Sequence, residues 1–113
     1  MAKLETHLTG PFDTVLDQLH QAILDGSLSA SYEDGSDCTL GNARVAVRIY
    51  ERYSMFGGNR VSMSLTLAGE GERLFLSAIT SGGSQAVLFK VNTLGEEAFL
   101  DTIREVVRQL ERD

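Results

Sequence analysis

Arg44-Val45-Ala46-Val47-Arg48-Ile49-Tyr50-Glu51-Arg52-Tyr53 and Arg60-Val61-Ser62-Met63-Ser64-Leu65-Thr66-Leu67 decide the fold, and Gly57-Gly58-Asn59 lies between them. Both halves alternate with period two, the mark of half-buried strands. Val45, Val47 and Ile49 alternate with Arg44, Arg48 and Arg52. Val61, Met63, Leu65 and Leu67 alternate with Arg60, Ser62, Ser64 and Thr66. The two patterns constrain the hairpin that joins them. A two-residue Gly57-Gly58 turn would set Ile49 opposite Thr66 and mix the faces. A three-residue Gly57-Gly58-Asn59 loop sets Ile49 opposite Leu67 and Tyr53 opposite Met63, so register predicts that loop. On this reading the aliphatic side chains face a core and the arginines face away from it.

The same test extends outward. Glu70-Gly71 as a two-residue turn pairs Leu67 with Leu74 and Leu65 with Leu76, sending Phe75, Ser77 and Ile79 to the opposite face. Gly41-Asn42 aligns Cys38 with Val45, leaves Leu28, Ala30 and Tyr32 inward, and makes Asp34-Gly35 a bulge or break. A last strand is expected over 86–91, with Val87, Phe89 and Val91 inward, and Leu4 and Leu8 suit a short edge strand.

Helices flank this region. Gly10-Pro11 followed by Asp13 reads as a helix start, and Phe12, Val15, Leu16, Leu19 and Ile23 form one apolar stripe ending near Gly26. Thr93 and Glu96 stand in capping-box spacing ahead of a second stripe, Phe99, Ile103, Val106 or Val107, and Leu110. Arg104, Arg108 and Arg112 sit toward its C-terminal end. The expected fold is one α+β domain over 1–113: helix, four- to five-stranded antiparallel meander, helix, with both helices on one face of the sheet.

Composition narrows the function. The chain has 113 residues, enough for one domain with a sizeable core, and no apolar run of membrane-span or signal-peptide length. A single cysteine, Cys38, rules out an internal disulfide, and a cytoplasmic protein is expected. The net charge of −6 argues against nucleic acid as a partner. That charge is uneven. Residues 44–68 carry four arginines against Glu51, a balance of +3, while the rest carries six basic and fifteen acidic residues, or −9.

Thr80-Ser81-Gly82-Gly83-Ser84-Gln85-Ala86 is the densest cluster of backbone-permissive residues. As a phosphate loop it fails, because no lysine follows the glycines and a strand is expected next. As a nucleophile elbow it lacks the second flanking glycine. It can serve as a backbone nest for a carboxylate, or simply as a turn needing positive φ. His7 and His20 have no partner at metal-ligand spacing, and Cys38 reads as a small apolar residue. No catalytic set, metal site or cofactor site is expected.

The arginine row is the stronger lead. Arg44, Arg48 and Arg52 share parity with Tyr50, and Arg60 with its serines would lie beside them on the outer face near Phe75 and Ile79. Such a face suits a carboxylate or phosphate ligand, an acidic protein, or a second copy of the chain. The bland alternative is a solvated face that discourages aggregation. The expected function is a non-catalytic binding or homodimeric assembly module, with Arg44, Arg48, Tyr50, Arg52, Arg60, Phe75, Ser84 and Gln85 as contact residues. The alternative is a small-molecule carrier or enzyme whose pocket opens between helices and sheet near Ser84, Gln85 and Tyr32.

The run from Ser77 to Leu100, with Ser81-Gly82-Gly83-Ser84-Gln85-Ala86 and Asn92-Thr93-Leu94-Gly95-Glu96-Glu97-Ala98-Phe99-Leu100, resembles a family of small single-domain bacterial proteins of unknown function. The resemblance implies a small bacterial cytosolic domain and names no site.

Overall fold

In the computed structural model, residues 1–53, 59–82 and 89–112 are described. The elements run β1 (Ala2–Thr9), α1 (Phe12–Asp25), β2 (Ser31–Leu40), β3 (Ala43–Tyr53), β4 (Arg60–Glu70), β5 (Arg73–Gly82) and α2 (Phe89–Arg112). The strands form one sheet in the order β1-β5-β4-β3-β2, antiparallel at every step. This is the expected α+β class.

α1 follows its sequence signals closely. Pro11 precedes the first turn, Asp13 lies within it, and the buried residues are Phe12, Val15, Leu16, Leu19 and Ile23. Gly26 ends the helix in the ordinary right-handed region, so its use is steric. A Cβ there would lie 2.6 Å from Thr102 Cγ2 of α2. Glycine lets the two helices approach at this point.

α2 starts earlier than its capping-box spacing predicts. The helix already includes Phe89 and Val91, so those two residues of the expected 86–91 strand are helical, and 86–88 lie outside the described residues. Thr93 and Glu96 are therefore inside the helix. Glu96 is buried and acts across elements. Its Oε2 accepts the Gly82 N–H at 2.7 Å, its Oε1 lies 3.0 Å from the Met1 ammonium, and its backbone carbonyl accepts the Thr80 hydroxyl at 3.1 Å. The place beside β5 belongs to β1, which pairs from Ala2↔Thr80 to Thr9↔Arg73.

One core joins these parts. Leu4 and Leu8 of β1, the α1 stripe, and Phe99, Leu100, Ile103 and Val107 of α2 pack with Val61, Met63, Leu65 and Leu67 of β4 and Leu74, Leu76 and Ala78 of β5. The β4 and β5 faces are those expected, although the turn is Gly71-Glu72, which pairs Leu67 with Leu76. A two-residue shift changes partners without changing faces.

β3 does not follow expectation. Tyr53 pairs with Arg60, Tyr50 with Met63 and Arg48 with Leu65, in place of the expected pairing of Tyr53 with Met63 and Ile49 with Leu67, while Gly57 and Gly58 of the expected loop lie outside the described residues. That register turns Arg44, Ala46, Arg48, Tyr50 and Arg52 to the helix side. Ala46 and Tyr50 are fully buried there, while Val45, Val47 and Ile49 lie half-buried on the outer side. The physical reason is the position of β3 near the sheet margin, beneath α1. Tyr50 supplies bulk, and arginine stems cover apolar surface while their heads reach the periphery.

β2 is the edge beyond that margin. Cys38 pairs with Val45 as expected, across the Gly41-Asn42 turn with Gly41 at φ +59°. The register slips between Tyr32 and Asp34, a bulge at Glu33 that brings Tyr32 opposite Tyr50. Leu28, expected inward, is fully exposed.

Candidate functional site

The arginine row is not a free basic patch, because each guanidinium has a use inside the chain. Arg44 donates to Asp13 Oδ1 at 3.0 Å and lies 4.2 Å over the Phe12 ring. The hydrogen bond from Arg44, reinforced by its charge, holds the Asp13 carboxyl below its usual range, and Asp13 raises Arg44 in turn. Arg48 donates to the Val47 carbonyl at 2.9 Å, to the Ser36 carbonyl at 3.3 Å and to Asp37 at 3.0 Å. The Asp37 bond raises its pKa. Arg52 lies 4.9 Å over the Phe99 ring, and burial pulls its pKa down. Its Nε has no hydrogen-bond partner among the described residues.

Around Arg48 the row meets an aromatic cluster. The buried Tyr50 hydroxyl lies 2.8 Å from His20 Nδ1 of α1, and burial pushes its pKa up to about 12. Tyr32 completes the group, with ring centroids 5.8 Å from both His20 and Tyr50. Gly35 makes room for it, since a Cβ there would stand 2.3 Å from the Tyr32 hydroxyl oxygen and 3.1 Å from Arg48 Cδ. Leu16, Asp17, His20, Tyr32 and Arg48 line a cleft of about 310 Å³ between α1 and the sheet margin.

The outer face is different in character. It carries Val45, Val47 and Ile49 on β3, Ser62, Ser64, Thr66 and Ala68 on β4, and Phe75, Ser77 and Ile79 on β5. Phe75 packs 5.3 Å from the His7 ring, and Ile79 is 38% exposed. Arg60 lies on this side and is paired with Glu51, whose other oxygen accepts Ser62 at 3.1 Å. Of the expected contact residues, Arg60 and Phe75 therefore share the outer face. Arg44, Arg48, Tyr50 and Arg52 lie on the helix side, and Ser84 and Gln85 lie outside the described residues.

Among the described residues no group of histidine, cysteine, aspartate and glutamate could hold a metal ion, and no helix is long and apolar enough to cross a membrane. Comparison with known families matches residues 1–111 to a family of unknown function, DUF6054. The chain belongs to that family. No curated protein matches it. The DUF6054 match covers both the outer face and the cleft, and its description assigns activity to neither.

Sequence reasoning passed over His20 as the partner of Tyr50, and Val45, Val47 and Ile49 as surface residues. A signal was present for the first. His20 follows Leu16 by four positions, on the stripe side of α1, where a polar ring needs a polar partner.

Proposed function

We propose that this protein is a non-catalytic assembly module that pairs with a second copy through the outer face of its sheet. The observation that carries the reading is the Val45, Val47 and Ile49 stripe on β3 together with Phe75 and Ile79 on β5, across the small β4 residues Ser64, Thr66 and Ala68, on the face that the described parts of both helices leave uncovered. A solvent-facing side of an antiparallel sheet is ordinarily polar, so several half-buried aliphatic and aromatic residues there suit a contact. The neighbouring Ser62, Ser64, Thr66 and Ser77 are small, which suits two sheets packed about 10 Å apart. Five strands spaced about 4.8 Å apart, each about 30 Å long, give a face of roughly 700 Å², close to the roughly 800 Å² per partner of a stable interface.

The arginine row does not support an acidic ligand or acidic protein on this face, since Arg44, Arg48 and Arg52 lie on the helix side. A bacterial cytoplasmic setting belongs to the same proposal. It is supported by the lone Cys38 and by the resemblance of the 77–100 segment.

Sedimentation velocity over a micromolar concentration series tests the reading. The wild-type chain is expected at twice its 12.3 kDa mass, and Val47→Glu at the monomer mass with its far-ultraviolet circular dichroism retained. A wild-type monomer throughout the series overturns the proposal.

A further inference from the structure

We propose that the cleft between α1 and the β2–β3 margin binds a small zwitterion of the free amino-acid class. Its two walls carry groups of opposite sign, with Arg48 already sharing its charge with Asp37 at 3.0 Å. Asp17 stands on the helix, and Arg48 stands on the sheet beside the half-exposed ring of Tyr32. Among the described residues, neither the Asp17 carboxylate nor the Tyr32 hydroxyl makes a hydrogen bond. Arg48 spends Nη1 on two carbonyls and one Nη2 hydrogen on Asp37, which among the described residues leaves Nε–H and a second Nη2 hydrogen for a ligand carboxylate. A ligand ammonium would sit against Asp17 and the face of Tyr32. Leu16 offers apolar surface for a side chain, and about 310 Å³ lies at the small end of ligand sites.

Three devices hold these groups in place. The bulge at Glu33 turns Tyr32 to the helix side. Gly35 leaves bare backbone where the Tyr32 hydroxyl and the Arg48 stem meet. The buried Tyr50 hydroxyl fixes the His20 ring through Nδ1, leaving Nε2 without a partner among the described residues.

Backbone-amide NMR titration with leucine tests the site, alongside 4-methylpentanoate and isoamylamine, which each keep one of its two charges. Leucine is expected to shift the amides of residues 16–20, 32–36 and 48, with both analogues at least about tenfold weaker. Asp17→Asn, at an exposed residue with no ion-pair partner among those described, is expected to weaken leucine about tenfold while the melting temperature holds. No shifts at tens of millimolar leucine, equal binding by either analogue, or unchanged binding by Asp17→Asn would each overturn the proposal. The cleft lies on the opposite side of the sheet from the self-association face, so each proposal can fail alone.

Discussion

β3 and β4 are adjacent strands with the same sequence rhythm, yet they turn opposite kinds of residue toward the helices. β4 sends in Val61, Met63, Leu65 and Leu67, all fully buried. β3 sends in Arg44, Ala46, Arg48, Tyr50 and Arg52 and leaves its three aliphatic residues half-exposed on the outside. Alternation shows that a strand has two faces, while the helices decide which one is covered. In the middle of the sheet the covered face must be dry. At the margin a long amphipathic side chain can lie under a helix and still reach water.

The contrast can be broken most sharply by truncation. Leu65→Ala is expected to cost about 2–5 kcal/mol, because it opens a cavity in the dry face. Val47→Ala, measured at dilution, is expected to cost about 1 kcal/mol, since its side chain is only half-buried in one copy. Urea denaturation of the two variants checks the order, and equal costs would place Val47 in the core.

A smaller effect tests the polar part of the helix side. Tyr50→Phe removes the hydroxyl that meets His20 and is expected to cost about 1 kcal/mol at neutral pH. With the folded pKa near 12 and the unfolded value at 10.0, the wild type holds its full stability below pH 10 and loses this contribution as the pH rises toward 12. The variant should show a weaker alkaline loss in denaturation curves across that window.

The smallest effect comes from the Arg44–Asp13 pair at the exposed end of the row. Because the folded Asp13 pKa is depressed, its contribution is present above the unfolded value of 3.8 and disappears as the pH falls below it. The stability gap between wild type and Asp13→Asn should close in acid and narrow with added salt. A gap that persisted at low pH would show that charge is not its source.

What could be read from the chain follows from the same contrast. The α1 stripe and the faces of β4 and β5 were legible because each segment has one wholly apolar side. The β3 face was not, because hydropathy ranks Val47 above Arg48 whatever lies overhead. Phe89 and Val91 read as strand because β-branched and aromatic residues crowd there, although the backbone is helical. Glu96 had the spacing of a cap, and its carboxylate instead reaches Gly82 and the Met1 ammonium. For the candidate sites, Phe75 and Ile79 were legible as outer residues. The cleft was not, since Asp17, His20, Tyr32 and Arg48 come from three elements and meet only through a bulge and a bare glycine.

The pairing of β1 with β5 has a consequence for how the chain assembles. Three hairpins can zip from nearby turns, but Ala2–Thr9 must wait for a strand more than sixty positions later and carries the largest loop-closure cost. Until it arrives, the backbone of β5 offers a row of unmatched donors and acceptors beside Leu74, Leu76 and Ala78. The eight-residue β1 thus covers β5 and takes its place as the edge of the sheet.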